Sequence, residues 1–395
     1  MSSTAAQMRR YQGPAFFSFG FRPFFLGGAL VAATLPVLVA LAMSGAVEIG
    51  GAYGAVAWHG HEMVFGFLSA VVAGFLLTAV PNWTGRLPVL GGRLVLLFAL
   101  WLAGRVAMLS AGLIGAKAAA LIDAPFLFAL AGVLAREIIR GRNWRNLPVV
   151  ALVALFAVGN VVWHAHAIGG AAPFFAARLG VAVIAMLIAL IGGRITPSFT
   201  RNWLMKTGRP AASAAVDTLD KAALGVAGAA LVFWLVNPVG VPTGVLLFAA
   251  SALHLARLAR WRGWRTLAEP LVTILHVGYF WLALSFALIA ASAAFPAQTP
   301  PSAAFHALTS GAAGVMILAV MTRATRGHTG RPLAADAVTL VIYGLVNLGA
   351  LARVLAHLAP DDYAAALLIA STLWSSAFLL FAIVYGRYLF GAKPS

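Results

Sequence analysis

The sequence predicts an all-α, polytopic membrane protein with about 12 transmembrane helices in three four-helix repeats and both termini cytoplasmic. Three observations lead there. The chain of 395 residues is 62% hydrophobic and only 9% charged, against about 25% charge in ordinary soluble domains. Apolar stretches of roughly 18–25 residues, long enough to cross a bilayer, recur along its length. The basic residues gather in alternate loops, the positive-inside pattern. Hydrocarbon offers no water to the backbone, so spans are helices or closed-barrel strands. These Leu/Ala/Val-rich runs are too long for barrel strands.

The spans follow in order. A segment 1–23 leads to the first, 24–44, which ends at Ser44-Gly45. It lacks a short apolar core followed by a small-residue cleavage site, so it reads as a retained helix. The second, 58–80, starts in WHGHEMVFGF and stops at Pro81-Asn82. Gly91-Gly92 opens the third, 92–111, and the fourth, 114–135, runs into arginines. The fifth and sixth are 148–168 and 174–193. Asn237-Pro238 separates 219–236 from 240–258. The ninth is 268–291, and Pro300-Pro301 precedes the tenth, 302–321. The last two are 334–357 and 363–386, with 387–395 as a tail. The whole, 1–395, reads as one integral membrane domain.

The net charge of +17 invites a nucleic-acid reading, but position argues for a membrane. Arg9, Arg10 and Arg22 lie at the N-terminus. Basic groups follow each even span: Arg86 and Arg93; Arg136 to Arg145; Arg194 to Arg209; Arg257 to Arg265; Arg323 to Arg331; Arg387 and Lys393. Arg105, Lys117, Arg178 and Arg353 fall elsewhere. The arrangement places both termini in the cytoplasm of a bacterial inner membrane, with lipid and not nucleic acid as the partner.

A repeat runs through this pattern. His61 starts a run ending in Thr84-Gly85-Arg86, and His306 starts one of equal length ending in Thr329-Gly330-Arg331, with Gly66 matching Gly311. Arg105 and Arg353 correspond, as do the loops Arg142–Arg145 and Arg262–Arg265. Units of about 120 residues are implied.

The chain has no cysteine, which removes disulfides, thiolate sites and covalent haem attachment. Any metal must rest on His, Met or carboxylate, and ionisable groups inside a span are costly and usually functional. His59, His61, His164, His166 and His306 gather near the non-cytoplasmic level. Imidazole suits haem iron and copper. His61 and His306, matched by the repeat, could hold one haem from opposite sides. On a regular helix His59 and His61 diverge by about 200°, which favours separate sites. Glu62 could orient an imidazole or relay protons as a catalytic residue; a helix N-terminal carboxylate is an equal alternative. His276, in LHVGYFW, lies within a span as a candidate ligand or proton carrier. Arg105 and Arg353 could pair with haem propionates, or with helix-end carbonyls. His328, in RATRGHTGRP, belongs to a cationic corner. For His164 and His166 an interfacial role is simpler, and His254 reads as part of its basic loop.

These segments resemble the NnrS family: FFSFGFRPFFL, WHGHEMVFGF, GFLLTAVPNWTGR, GGRITPSFTRNW, LHVGYFW and FHALTSGAAGVMILAVMTRATRGHTGRP. The likeness runs from Phe16 to about Tyr385. It implies a polytopic protein that binds haem b and copper and is linked to nitric oxide stress. It carries to His59, His61, Glu62, His276, His306 and His328. The leading expectation is therefore a haem and copper membrane protein that handles nitric oxide, with reduction of nitric oxide by an unidentified electron donor as its enzymatic form. A transporter of a metal or small anion and a non-catalytic sensor or metallochaperone are the alternatives.

Overall fold

The computed structural model describes residues 11–210 and 215–391; Arg9, Arg10 and Lys393 lie outside them. Among the described residues there are no strands and 12 helices long and apolar enough to cross a membrane. The protein is a multi-pass helical membrane protein. We number the helices α1 Phe21–Met43, α2 Ala55–Thr84, α3 Gly92–Leu109, α4 Ala116–Arg140, α5 Trp144–Ile168, α6 Phe174–Lys206, α7 Thr218–Val236, α8 Val241–Arg260, α9 Pro270–Ala294, α10 Pro301–His328, α11 Ala337–Leu358 and α12 Tyr363–Phe390.

Each helix falls on an apolar run, but α2, α6 and α10 continue well past the runs that locate them. The reason is physical. Apolar counting stops where hydrocarbon stops, whereas the i to i−4 ladder continues through polar residues. Threonines near the ends sit comfortably because their hydroxyls donate back to carbonyls four residues earlier: Thr84 to Val80, Thr200 to Thr196 and Thr329 to Thr325.

The chain divides into two compact units. The first holds Met1–Val183, Ala324–Arg331 and Phe381–Ser395; the second holds Ile184–Arg323 and Pro332–Leu380. An aromatic core organises the first. Phe24 meets Phe98, Trp101 and Phe126, and Phe65 meets Phe156 and Trp163. Arg22 is not a loop charge here. It is buried, and its Nη1 donates to the carbonyls of Leu389 and Gly391 at 2.7 Å, capping the end of α12. In the second unit α9 is buried along most of its length, and Gly278 lets it approach the backbone of α10 closely enough that a Cβ would lie 3.0 Å from Met316 N.

Three helices carry a π turn: Glu62–Leu68 in α2, Ile188–Gly192 in α6 and Ala307–Ala313 in α10. A π turn inserts a residue and loosens the carbonyl ladder. In each case a carbonyl in the turn takes a donor from another helix. Trp101 Nε1 donates to Gly66 O at 2.9 Å, Arg257 Nη1 to Ala189 O at 2.9 Å, and Trp374 Nε1 to Ser310 O at 3.1 Å. In α2 the same turn sets the site below.

Candidate metal centre

His61, Asp123 and His164 come together inside the first unit, with one ligand atom from each lying within 4.8 Å of the others. They arrive from three helices. His61 ends the α-helical start of α2, and Glu62 begins the π turn. Asp123 closes the first segment of α4; Ala124 keeps helical dihedrals, and the hydrogen-bond ladder is interrupted there because Pro125 has no N–H to donate. His164 lies in the last turns of α5. The side chains are 0%, 3% and 3% exposed, so the group could hold a metal ion without bulk water around it.

The surrounding contacts fix the rings. Tyr53, in a short 3-10 turn before α2, donates its hydroxyl to Ala116 O at 3.1 Å. The same hydroxyl lies 2.9 Å from His164 Nδ1. The other ring nitrogen, Nε2, faces Asp123 Oδ2 at 3.0 Å. Asn160 donates Nδ2 to Asp123 Oδ2 at 2.8 Å, which turns its own Oδ1 towards His61 Nε2 at 2.8 Å. His61 Nδ1 donates to Glu62 Oε1 at 3.0 Å. Two imidazole Nε2 atoms, a carboxylate oxygen and an amide oxygen thus converge. All are acceptors unless protons or a cation lie between them.

Arg105 of α3 closes the other side. Its Nη1 donates to Glu62 Oε1 and its Nη2 to Asp123 Oδ1. The guanidinium occupies space that any side chain on Gly66 would take, since a Cβ there would lie 2.2 Å from Arg105 Nη1. Gly104 likewise makes room for Asp123, at 2.6 Å from Oδ1. With both carboxyls ionised, Arg105 offsets one negative charge, and the second is balanced either by a proton on His61, whose two ring nitrogens both face oxygens, or by a metal ion. Tyr53 stands outside the spans. Burial first, then Asp123 and Glu62, push its phenol up to about 12, so it stays protonated at neutral pH.

Of the residues singled out from sequence, His61, Glu62 and Arg105 meet here. His59 is half-buried and is not one of the three clustered ligands. His276 and His306 belong to the second unit. His276 Nε2 lies 2.7 Å from Thr200 Oγ1, and His306 Nδ1 donates to Ser302 O at 2.7 Å. Arg353, also in the second unit, is hydrogen-bonded to Tyr363. His328 packs against Phe19 and Phe21, with ring centres 6.0 and 5.5 Å away. His254 is no loop residue. It is fully buried within α8, 2.7 Å from the Tyr279 hydroxyl, beside the Arg257–Asp220 pair. Asp123, Asn160 and Tyr53, which sequence reasoning passed over, complete the site together with His164, which it counted among the outer histidines but read as interfacial. Asp123 carried a usable signal, a lone carboxylate in an apolar run.

A family model described as NnrS protein matches residues 15–393. No curated protein matches the chain.

Proposed function

The chain belongs to the NnrS family, and on that premise we propose that it handles nitric oxide in a bacterial cytoplasmic membrane at a transition-metal ion held by His61, Asp123 and His164. The observation that carries this reading is the convergence of those three buried ligand atoms within 4.8 Å. Two imidazoles and one carboxylate suit a divalent ion of the copper, zinc and iron group, with copper first.

A bound copper ion would supply an open coordination position and one-electron chemistry. The chain's own residues do the rest. Tyr53 fixes the His164 ring so that Nε2 faces the centre. Asn160 holds Asp123 and His61 together. Glu62 sets the His61 ring, and Arg105 anchors both carboxylates. Such outer partners typically tune metal affinity by about 10–100-fold. Burial excludes water and charged solutes, whereas a small neutral diatomic loses little on entering an apolar interior. Electrons for turnover come from a separate donor.

Haem b, which the sequence resemblance implies, fits His61 poorly. Both ring nitrogens have side-chain partners within 3.0 Å, so an axial role requires displacing Glu62 or Asn160.

The test is metal analysis of the purified protein from metal-replete cells, followed by nitric oxide addition with and without reductant. The expected result is stoichiometric copper, a change in its spectrum with nitric oxide, and loss of both in Asp123→Asn. A metal-free wild type, or a bound metal whose spectrum ignores nitric oxide, overturns the reading. Stoichiometric binding with reductant but no consumption identifies a sensor.

A further inference from the structure

The second unit carries a separate cleft where the end of α6 meets the turn before α9. It measures 440 Å³ and is lined by Arg209, Pro210, Trp264, Arg265, Leu267 and Ala268. Two guanidinium groups share it, and each is held by the other's segment. Arg265 Nη1 donates to Pro210 O at 3.1 Å, and Arg209 Nη1 to Arg265 O at 3.4 Å. Arg209 also lies over the Trp203 ring, 5.3 Å from its centre. Among the described residues neither arginine forms an ion pair with a carboxylate. Glu269, the nearest acid in sequence, accepts from Leu271 N as the cap of α9.

Two like charges fixed side by side repel unless an anion lies between them. The walls say which kind of anion. Trp264 is 61% exposed and Leu267 is 70% exposed, both just before Pro270 begins a transmembrane helix. A soluble anion gains nothing from them. The glycerol and upper acyl region of a phospholipid does, because aromatic and apolar side chains at helix ends favour the membrane interface. Basic pockets at helix ends are a known way to hold lipid phosphates.

We propose that this cleft binds the phosphodiester headgroup of an anionic phospholipid, with Arg209 and Arg265 on the phosphate and Trp264 and Leu267 on the lipid beneath it. The shared chemistry with free phosphate is the anionic oxygen; the apolar wall selects lipid.

The test uses full-length protein in detergent, with native mass spectrometry after titration with phosphatidylglycerol, phosphatidylcholine or inorganic phosphate. The wild type is expected to retain phosphatidylglycerol over phosphatidylcholine. Arg209→Gln with Arg265→Gln is expected to weaken that by roughly 30-fold, from about 1 kcal/mol lost per charge. Trp264→Ala with Leu267→Ser keeps both charges and is expected to lower lipid retention while leaving phosphate binding unchanged. Unaltered melting temperatures in both variants show that folding is not the cause, and Lys at both arginine positions is expected to restore most binding should the Gln variant unfold. Equal retention of the two lipids, or binding unchanged in the Gln variant, overturns the proposal. So does phosphate binding that outcompetes phosphatidylglycerol.

Discussion

Asp123→Asn separates a metal centre from a merely structural ion pair. The native carboxylate is 3% exposed. Its Oδ1 accepts from Arg105, and its Oδ2 lies 2.8 Å from Asn160 Nδ2, 3.0 Å from His164 Nε2 and 3.3 Å from His61 Nε2. Breaking a buried ion pair by removing one partner costs about 3–5 kcal/mol. Two features of this site reduce that figure. Arg105 keeps Glu62 as a second carboxylate. The new amide has both a donor and an acceptor, so it can still hydrogen-bond His164 Nε2 in either tautomer. The stability loss should therefore fall below about 3 kcal/mol. Metal affinity has no such relief, because the sole anionic ligand is gone and an N–H points where the ion would lie. Loss of outer partners alone costs about 10–100-fold, so loss of this ligand should exceed about 100-fold. Metal stoichiometry by mass spectrometry, a competition titration and a thermal melt measure the two effects side by side, with exposed Asp362→Asn as the control. Metal retained at wild-type affinity in Asp123→Asn would refute the assignment of Asp123 as a ligand.

Other consequences are open to direct measurement. Gly66→Ala drives a methyl into the Arg105 guanidinium, so it should cost about 1–3 kcal/mol and weaken metal binding. Gly225→Ala in α7 meets nothing within 4 Å and should stabilise by up to about 1 kcal/mol; equal melting shifts would contradict the packing argument. Tyr53 has a folded pKa raised to about 12, above an unfolded value of about 10. The native state therefore holds the phenolic proton where the unfolded chain has lost it. Its contribution is complete below about pH 10 and disappears as pH rises towards 12. Melting temperature should fall more steeply across that window in the wild type than in Tyr53→Phe, and parallel curves would count against a buried phenol beside two carboxylates. Finally, titrating metal into unbuffered protein at pH 7 should release at least one proton per ion, and a titration with no proton release would mean that the convergent acceptors are already bare.

How far this was legible from residues alone depends on charge. Twelve spans were readable because hydrocarbon imposes length and apolarity, and the family because whole motifs survive in order. His61, Glu62 and Arg105 stood out as ionisable groups in apolar runs. Asp123 offers the same signal, yet the eye is drawn to histidines when metals are in mind. Asn160 and Tyr53 give no signal, since an uncharged amide or phenol is ordinary in either a helix or a turn. His164 sits near the end of α5, where an interfacial reading is natural; only the approach of α4 and α5 turns it inward. Two local devices lie beyond regular periodicity. The π turn after His61 shifts every later residue of α2 relative to a 3.6-residue pattern, and Pro125 interrupts the α4 ladder just after Asp123. His254 was misplaced for a related reason: α8 carries basic residues along its last turns, and Arg257 is buried there against Asp220.

The charge arithmetic links the fold of the first unit to its chemistry. Glu62 and Asp123 bring two negative charges and Arg105 one positive, all less than about a tenth exposed. A fully neutral set would be cheaper to bury, and Arg105 already does most of that work by touching both carboxylates. One charge remains to be balanced at the point where two imidazole nitrogens face oxygens. Protonated histidine settles the balance, and so does a metal ion, which makes proton and metal competitors for one space. The same rigidity that fixes the rings makes this competition specific. Tyr53 holds the His164 ring, and Glu62 and Asn160 hold the His61 ring. A purely structural salt bridge would need only Arg105 and its carboxylates; the two oriented imidazoles add a space that a proton or a metal ion can fill.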